Sequence, residues 1–223
     1  MITVHHLENS RSQRVLWLLE ELGLPYKVVR YERDPKTKLA PPELRALHPL
    51  GKSPIIEDDG QTVAETGAII EYLLGRYGEG RLAPTTNTPE RLSYTYWLHY
   101  AEGSAMSPLL LKLLFGTMMP AGAPALLKPV VRSVTKPVLQ RYIDPQLRQH
   151  ADFWEGALSK TGWFAGPQFT AADIQMSFPL EAASSRGDMG QKRPHTQAFL
   201  QAIHARPAYR RALERGGPYA YAA

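Results

Sequence analysis

The sequence predicts an α/β domain followed by an all-helical domain, and three observations support this. β-prone runs alternate with helical spacing as far as Ala64, and no convincing strand follows. After Leu74, apolar residues recur at helical spacing in several long segments. The stretch between the two parts is rich in proline and threonine, as linkers are. We therefore predict an α/β domain at 1–80, a linker at 81–89 and a helical domain at 90–223.

The first domain begins with a strand, a helix and a second strand. Ile2 to Leu7 forms the first β-prone run, and Lys27 to Tyr31 forms the second. Between them, Ser12 to Leu22 has apolar residues at helical spacing and ends before Gly23, a common helix stop. Because a helix connects the two strands, we expect them to be parallel.

A short helix, a hairpin and a longer helix complete this domain. Pro42 to Leu47 is predicted to be helical, and Asp59-Gly60 between two β-prone runs is a strong hairpin signal. Glu65-Thr66 then opens an amphipathic segment. The resulting order, β-α-β-α-β-β-α, is thioredoxin-like. Thr66 lies at a helix N-terminus, where free N–H groups and the helix dipole favour a carboxylate.

The second domain shows helical spacing in four long segments. These are Glu90 to Gly103, Arg141 to Leu158, Ala171 to Ala183 and Thr196 to Leu213. Thr170 and Asp173 form a capping signature just before an apolar run, for which we predict a structural role.

Composition excludes several classes of protein. The chain has no cysteine, so a disulfide scaffold and a cysteine nucleophile are both excluded. Its N-terminus lacks the basic and apolar regions of a signal peptide, and we expect a cytoplasmic protein. Residues 1–80 carry 10 basic and 12 acidic residues, whereas the remainder carries 16 and 9. No basic stripe with interleaved aromatic residues accompanies this excess, so no nucleic-acid partner is predicted.

Two adjacent histidines lie in the first predicted strand. Because neighbours on a strand point to opposite faces, we expect one of His5 and His6 in the core and the other on the surface. The same divergence argues against metal binding by the pair, and no metal site is predicted.

Lys52-Ser53-Pro54, followed by Glu65-Thr66, resembles the glutathione transferase family. In that family, the residue before a cis-proline offers its backbone to the cysteinyl part of glutathione, and an acidic-hydroxyl pair at the next helix start holds the γ-glutamyl end. The stretch from Asn9 to Glu20 is most similar to the opening of a serine-type, theta-like group of fungal and bacterial members. The two-part plan matches this family over nearly the whole chain.

The resemblance implies a set of glutathione-binding residues. Lys52 would meet the glycine carboxylate of glutathione, with Lys38 or Lys36 as a second cation. Glu65 would face the γ-glutamyl ammonium. The predicted glutathione site comprises Lys38, Lys52, Ser53, Pro54, Glu65 and Thr66.

The catalytic group is expected in the first loop, between the first strand and the first helix. Without a cysteine, the nucleophile must come with the substrate, and the resemblance implies the thiol of glutathione as co-substrate. Lowering a thiol pKa from about 8.5 by two units requires roughly 2.7 kcal/mol of preferential thiolate stabilisation. Ser10 is our predicted donor to that thiolate. Ser12 and Asn9 are alternatives, Ser12 being favoured as a helix cap. Arg14 is expected to be structural.

The implied activity is addition of the glutathione thiolate to small hydrophobic electrophiles held by the helical domain. Alternatives are a non-catalytic glutathione-binding or scaffold protein, and glutathione-dependent peroxide reduction. The resemblance also implies a homodimer, in which Glu102 would reach the glutathione of the partner subunit.

Residues 105–141 depart from an ordinary connection between helices. They contain many leucines and prolines, two adjacent methionines, five basic residues and no acidic residue. We expect the prolines to break this segment well short of the roughly 20 residues that a membrane span needs. Two interpretations remain. The segment forms a lid over the electrophile pocket, with Met118 and Met119 as adaptable contacts, or it rests on an anionic membrane surface. We favour the lid.

Overall fold

The computed structural model of the chain describes residues 1–185 and 193–222. The first part of the chain, up to residue 80, contains a four-stranded mixed sheet. Its strands are β1 (Ile2–Leu7), β2 (Tyr26–Tyr31), β3 (Ile55–Asp58) and β4 (Gln61–Ala64), in the spatial order β2-β1-β3-β4. β1 and β2 are parallel, whereas β3 is antiparallel to both β1 and β4. At the β3–β4 turn, Asp59 and Gly60 have φ angles of 47° and 77°, as a type I′ hairpin requires.

Three helices belong to this half: α1 (Ser12–Leu22), α2 (Glu43–Leu47) and α3 (Thr66–Tyr77). α1 connects β1 to β2 and buries an apolar run from Val15 to Leu19. The thioredoxin-like order β-α-β-α-β-β-α is thus confirmed. The residue bounds of the two domains stay a prediction, and residues 186–192 and 223 of the second one lie outside the described residues.

The second half begins with one continuous helical segment, Pro89–Gly122, of 34 residues. It consists of α4 (Pro89–Tyr100), α5 (Met106–Leu113) and α6 (Met119–Gly122), joined by wider π-type turns at Ala101–Ala105 and Leu114–Met118. Prolines were expected to break residues 105–141. For residues 105–122 this expectation was wrong, because Pro108 and Pro120 both lie inside the continuous segment. By length and composition alone it is long and apolar enough to cross a membrane, with a mean hydropathy of 1.2 over 18 residues.

The chain then turns back. A single turn at Ala125–Leu127 leads to α7 (Lys128–Val138), which a π-type turn joins to α8 (Asp144–Thr161). α9 (Ala171–Ser185) runs through the core of this half and packs against α1 and α4. The predicted capping signature is present at its start, where Asp173 accepts hydrogen bonds from the backbone N–H groups of Phe164 at 2.8 Å and Thr170 at 2.7 Å. Burial raises the pKa of Asp173 to about 6.

The last predicted helix is in fact two. α10 (Pro194–Ala205) ends at Arg206, whose extended backbone precedes Pro207, and α11 (Pro207–Gly216) follows. The prediction of one continuous helix over Thr196 to Leu213 was wrong, because the residue before a proline avoids the helical conformation. α11 packs against α1, and a Cβ on Gly216 would lie only 2.6 Å from Oε1 of Gln13.

Both histidines of β1 are buried, with 5% of His5 and 3% of His6 exposed, so the prediction that one faces solvent was wrong. β1 is an inner strand, and both of its faces are covered. The His5 ring nitrogens hydrogen-bond the Tyr31 hydroxyl and the Glu57 carboxylate, each at 2.9 Å. The His6 ring lies beneath α1 and α11, next to Ser12 and Gly216.

Candidate active site

A small cavity of about 250 Å³ lies where the α1 and α3 N-termini, the loop before β3 and the end of α4 meet. Five of the predicted glutathione-binding residues line it: Lys52, Ser53, Pro54, Glu65 and Thr66. The other lining residues are Arg11, His48, Leu50, Ala64 and Glu102. The cavity therefore combines two cations with two carboxylates.

The loop before β3 is fixed to the end of β1. The Ser53–Pro54 peptide bond is cis, as the family resemblance implied. The Ser53 hydroxyl donates a hydrogen bond to the His5 carbonyl at 2.9 Å and accepts one from the Leu7 N–H at 3.3 Å. The backbone beside Pro54 is therefore held at the cavity wall by contacts to β1.

Thr66 begins α3 at the opposite wall. It is buried, and its hydroxyl accepts a hydrogen bond from Nη2 of Arg14 at 3.3 Å. Glu65, just before it, has a φ of 71°, in the left-handed region that non-glycine residues adopt rarely. The exposed Glu65 side chain and the α3 N-terminus thus offer a carboxylate and free N–H groups to the same space.

Glu102 connects the two halves of the chain at this cavity. Its carboxylate accepts hydrogen bonds from Nε of Arg11, at 2.8 and 3.0 Å, and from Nη2 of Arg14. Arg14 is fully buried, and its Nη1 donates to the Gln175 carbonyl at 2.6 Å. Burial alone would raise the pKa of Glu102, but the charges and hydrogen bonds of Arg14 and Arg11 outweigh it and lower that pKa.

A chain of hydrogen bonds leads from the first loop into the core. The hydroxyls of Ser10 and Ser12 lie 2.8 Å apart, and the Ser12 hydroxyl lies 2.8 Å from Nδ1 of His6. Ser10 also accepts a hydrogen bond from the Ser12 N–H at 3.2 Å. Burial, and then the charge of Arg30, lowers the pKa of His6 to about 4, so its ring is neutral at pH 7.

The neutral His6 ring has one nitrogen that donates and one that accepts. The Ser12 hydroxyl has two possible acceptors nearby, Nδ1 of His6 at 2.8 Å and the Leu7 carbonyl at 3.3 Å. In the contact between the two serine hydroxyls, either one can donate. Ser12 therefore connects Ser10 to the core of the first domain.

Asn9 is held by the end of the chain. Its side-chain oxygen accepts a hydrogen bond from the Ala220 N–H at 2.7 Å. Tyr219, next to Ala220, donates its hydroxyl hydrogen to the buried Glu181 carboxylate at 2.7 Å. The Asn9 oxygen is thereby occupied, which leaves its amide N–H groups as the donors that this residue could offer.

Comparison with known proteins identifies this arrangement. The family described as "Glutathione S-transferase, N-terminal domain" matches residues 10–74, and "Glutathione S-transferase, C-terminal domain" matches residues 112–207. "Glutathione S-transferase 3" of Schizosaccharomyces pombe is 37% identical over 96% of this chain and 88% of its own length. The chain belongs to the glutathione transferase family.

Two further members support this membership. "Glutathione S-transferase 1" of Saccharomyces cerevisiae is 33% identical over 96% of this chain and 95% of its own length. The crystal structure of a glutathione S-transferase from Actinobacillus pleuropneumoniae superimposes with a TM-score of 0.81 at 34% identity, covering 99% of this chain and 94% of that one. The family also accounts for the two-part architecture of sheet and helices.

The remaining predicted residues of this family member lie further from the cavity. Lys38 and Lys36 are exposed in the turn after β2, where the Lys38 N–H donates to the Asp34 carbonyl at 2.8 Å. Among the described residues, the cations that line the cavity are instead Lys52 and Arg11. Ser10 and Ser12 lie behind the cavity wall, in the hydrogen-bond chain to His6.

The sequence did not single out Arg11, His48 or Leu50. Of these three residues, Arg11 could have been predicted from the sequence, because it lies in the same loop as Ser10, directly before α1. Glu102 was expected to reach the glutathione of a partner subunit, but it lines the cavity of its own chain. Its pairing with Arg14 spans 88 residues, a separation that local patterns do not encode.

The predicted lid over the electrophile pocket stays a prediction, and it does not border the glutathione cavity. Of the described residues that line the cavity, none comes from 105–141. Met118 and Met119 are exposed at the far end of the α4–α6 segment rather than above the cavity. Within the described residues, no group of three or more histidine, cysteine, aspartate or glutamate side chains is arranged to hold a metal ion.

Proposed function

We propose that this protein binds glutathione in the cavity at the α3 N-terminus, lowers the pKa of its thiol and adds the thiolate to small hydrophobic electrophiles. One observation carries the proposal: the backbone beside cis-Pro54, the Lys52 cation and the start of α3 border one 250 Å³ cavity. Glutathione has two carboxylates and one ammonium group. The cavity offers Lys52 and the α3 N-terminus to the carboxylates and Glu65 to the ammonium group.

Thiol activation would use the first loop. A thiolate beside the α1 N-terminus gains from the helix dipole and from hydrogen-bond donors. Ser10 is our proposed donor, and its hydroxyl hydrogen can be directed to the sulfur by rotation about one single bond. The Arg11 guanidinium adds a nearby positive charge, partly neutralised by Glu102. Asn9 and Ser12 are the alternative donors.

The wider organisation of the protein belongs to the same proposal. Residues 1–80 would supply the glutathione site, and residues 90–223 would line the electrophile site after the linker at 81–89. A homodimer is proposed on the family resemblance, and sedimentation equilibrium would measure its mass. Lys38 would assist Lys52 only if the turn after β2 moved towards the cavity.

The decisive experiment is a titration of thiolate absorbance against pH for glutathione bound to the wild type and to Ser10→Ala. We expect the bound thiol pKa to lie about two units below that of the free thiol, and to move at least one unit back in Ser10→Ala. Ser133→Ala serves as a control, because this exposed hydroxyl only donates to the Val130 carbonyl of its own helix.

Other outcomes assign the role elsewhere. A depressed pKa that is unchanged in Ser10→Ala but lost in Ser12→Ala or Asn9→Ala would move the role to that residue. Glutathione binding without any pKa depression would contradict the transferase mechanism and support the non-catalytic alternative. Consumption of a hydroperoxide, measured beside conjugation of a chlorinated aromatic electrophile, would distinguish peroxide reduction from transfer.

A further inference from the structure

The segment Pro89–Gly122 and helix α7 form a helical hairpin whose tip is apolar and exposed. We call residues 113–127 the hairpin tip; they include no charged residue. Leu126 is 93% exposed, and Met118, Met119 and Leu127 are each about half exposed, at 44%, 46% and 53%. Contiguous apolar surface of this kind on a folded chain marks an interaction site.

The apolar surface continues from the tip along α7. Val130 and Val134 are spaced four residues apart on α7, so their side chains follow one another along one side of the helix, and Leu126 lies in the turn just before it. Val130 and Val134 are 59% and 61% exposed. The buried side of α7 is a different one, and it includes Thr135. α7 thus packs on the protein with one face and presents a separate apolar stripe.

Positive charge surrounds this apolar surface. The only ionisable side chains in 105–141 are Lys112, Lys128, Arg132, Lys136 and Arg141. Lys112 pairs with Asp144 at 2.6 Å, which leaves four cations on the returning arm of the hairpin. Arg132 and Lys136, four residues apart, are both exposed. From residue 103 to residue 143, the hairpin is therefore apolar and cationic, without a carboxylate of its own.

We propose that the hairpin tip and α7 dock this protein onto the surface of an anionic lipid bilayer. The apolar side chains of the tip enter the boundary between headgroups and acyl chains, as the apolar faces of interfacial helices do. The two lysines and the arginine of α7 reach the negatively charged headgroups along their flexible apolar stems. Apolar area and charge then act together, the combination that stable peripheral binding requires.

Charge argues against a second copy of the chain as the partner on this surface. A two-fold dimer brings the same patch of both subunits together. Here each patch carries the cations of α7 and no acidic residue, so the two copies would repel each other. An anionic bilayer has the opposite sign and an apolar interior, and it complements both properties of the surface.

The fold also argues against a membrane span, although Pro89–Gly122 has the length and composition for one. Its first two-thirds are part of the core: Trp97, Leu98, Ala101 and Leu109 are buried, and α4 packs against α9. A span would have to extract these side chains from their packing. Docking requires no such change, because the side chains that it uses are already exposed.

The docked surface and the cavity are well separated. Met118 follows Glu102 by sixteen residues, which corresponds to about 24 Å along a helix. The hairpin tip can therefore lie on a bilayer while the cavity stays open, and the proposal does not depend on the chemistry of the cavity.

The test is co-sedimentation of the full-length protein with vesicles of phosphatidylcholine alone and of phosphatidylcholine with roughly a third phosphatidylserine. We expect at least fivefold stronger binding to the anionic vesicles at about 0.1 M salt and a marked loss near 1 M, where screening shortens the reach of charge. Arg132→Glu/Lys136→Glu and Leu126→Ser should each weaken binding by roughly fivefold or more.

Matched controls separate the proposed surface from general charge and hydrophobicity. Lys27→Glu/Lys160→Glu makes the same charge change at two exposed lysines outside the hairpin, and Leu92→Ser removes a 74% exposed leucine from α4. Both should bind anionic vesicles like the wild type. Equal loss in these controls, or no preference for anionic vesicles in the wild type, would overturn the proposal. So would a change from dimer to monomer in Leu126→Ser, since the tip would then be a contact between copies.

Discussion

The cavity and the hairpin tip use the same kinds of side chain in opposite ways. Around the cavity, the buried Arg14 is matched by Glu102, Thr66 and the Gln175 carbonyl. At the tip, Leu126 lies almost fully in solvent, and the nearby α7 cations face outward. Charge is inside and paired in the first region, whereas apolar surface is outside in the second.

The stability of the fold accounts for the paired charges at the cavity, but it does not account for the exposed apolar side chains of the hairpin tip. A buried charge must be compensated, so the Arg14–Glu102 pair is a condition for the two halves to pack. An exposed leucine adds nothing to the stability of the isolated chain. The tip therefore needs an explanation outside the fold, whereas the cavity network has one within it.

The largest effect is expected from breaking the buried pair. Arg14→Met leaves the Gln175 carbonyl without its partner and Glu102 with Arg11 alone, and it should lower the free energy of unfolding by about 3–5 kcal/mol. Urea denaturation measures this change. The control is Arg76→Met, which removes an ion pair with Asp59 at the surface and should cost less than about 1 kcal/mol. Equal losses in the two variants would mean that the Arg14 network does not hold the halves together.

A pair of leucines compares the two regions directly within one helical hairpin. Leu109 is fully buried and Leu126 is 93% exposed. Leu109→Ala should destabilise the protein by about 2–5 kcal/mol because it leaves a cavity. Leu126→Ala should change stability by no more than about 0.5 kcal/mol, as surface substitutions do. A large loss in Leu126→Ala, seen in the same urea titration, would show that the tip is part of the fold after all.

The His6 ring makes the region behind the cavity sensitive to pH. Its pKa is lowered to about 4 in the fold, so the unfolded chain binds more protons between pH 6.5 and 4. The neutral His6 ring therefore leaves the folded state at its full stability above pH 6.5, and the free energy of unfolding falls as the pH decreases from 6.5 to 4. The loss should reach about 3 kcal/mol near pH 4. The difference in unfolding free energy between wild type and His6→Asn should therefore shrink by that amount.

A control for this pH dependence is His99→Asn, which changes an exposed histidine of α4. Its difference from the wild type should stay constant from pH 7 to pH 4. Comparing each variant with the wild type also cancels Asp173, whose raised pKa acts in the opposite direction over part of this range. A constant difference for His6→Asn would contradict the lowered pKa of its ring.

Most of the fold could be predicted from local patterns. Asp59-Gly60 specifies its own turn because both residues tolerate positive φ, and the predicted bounds of β1 and α1 match the structure. The long helix from Pro89 could not be predicted in this way. Prolines normally end helices, but here π-type turns at Ala101–Ala105 and Leu114–Met118 lie N-terminal to Pro108 and Pro120 within one segment.

The candidate site was predictable only in part. Ser53-Pro54 and Glu65-Thr66 form local signals, and all four residues line one cavity. Arg11 and Glu102 acquire their roles from a contact across 91 residues, and the burial of both His5 and His6 depends on which strands flank β1. Such features are set by tertiary packing, which a strand pattern or a loop motif does not contain. Which first-loop residue contacts the thiol stays a prediction.

The hydrogen bond between Ala220 and Asn9 has a consequence for how the protein is made. It links the first loop to a residue 211 positions later, and α11 covers α1 just before it. During synthesis on the ribosome, the loop between β1 and α1 is therefore made 211 residues before the residue that holds it. The sheet can form early, but this loop acquires its final contacts only after Ala220 has left the exit tunnel.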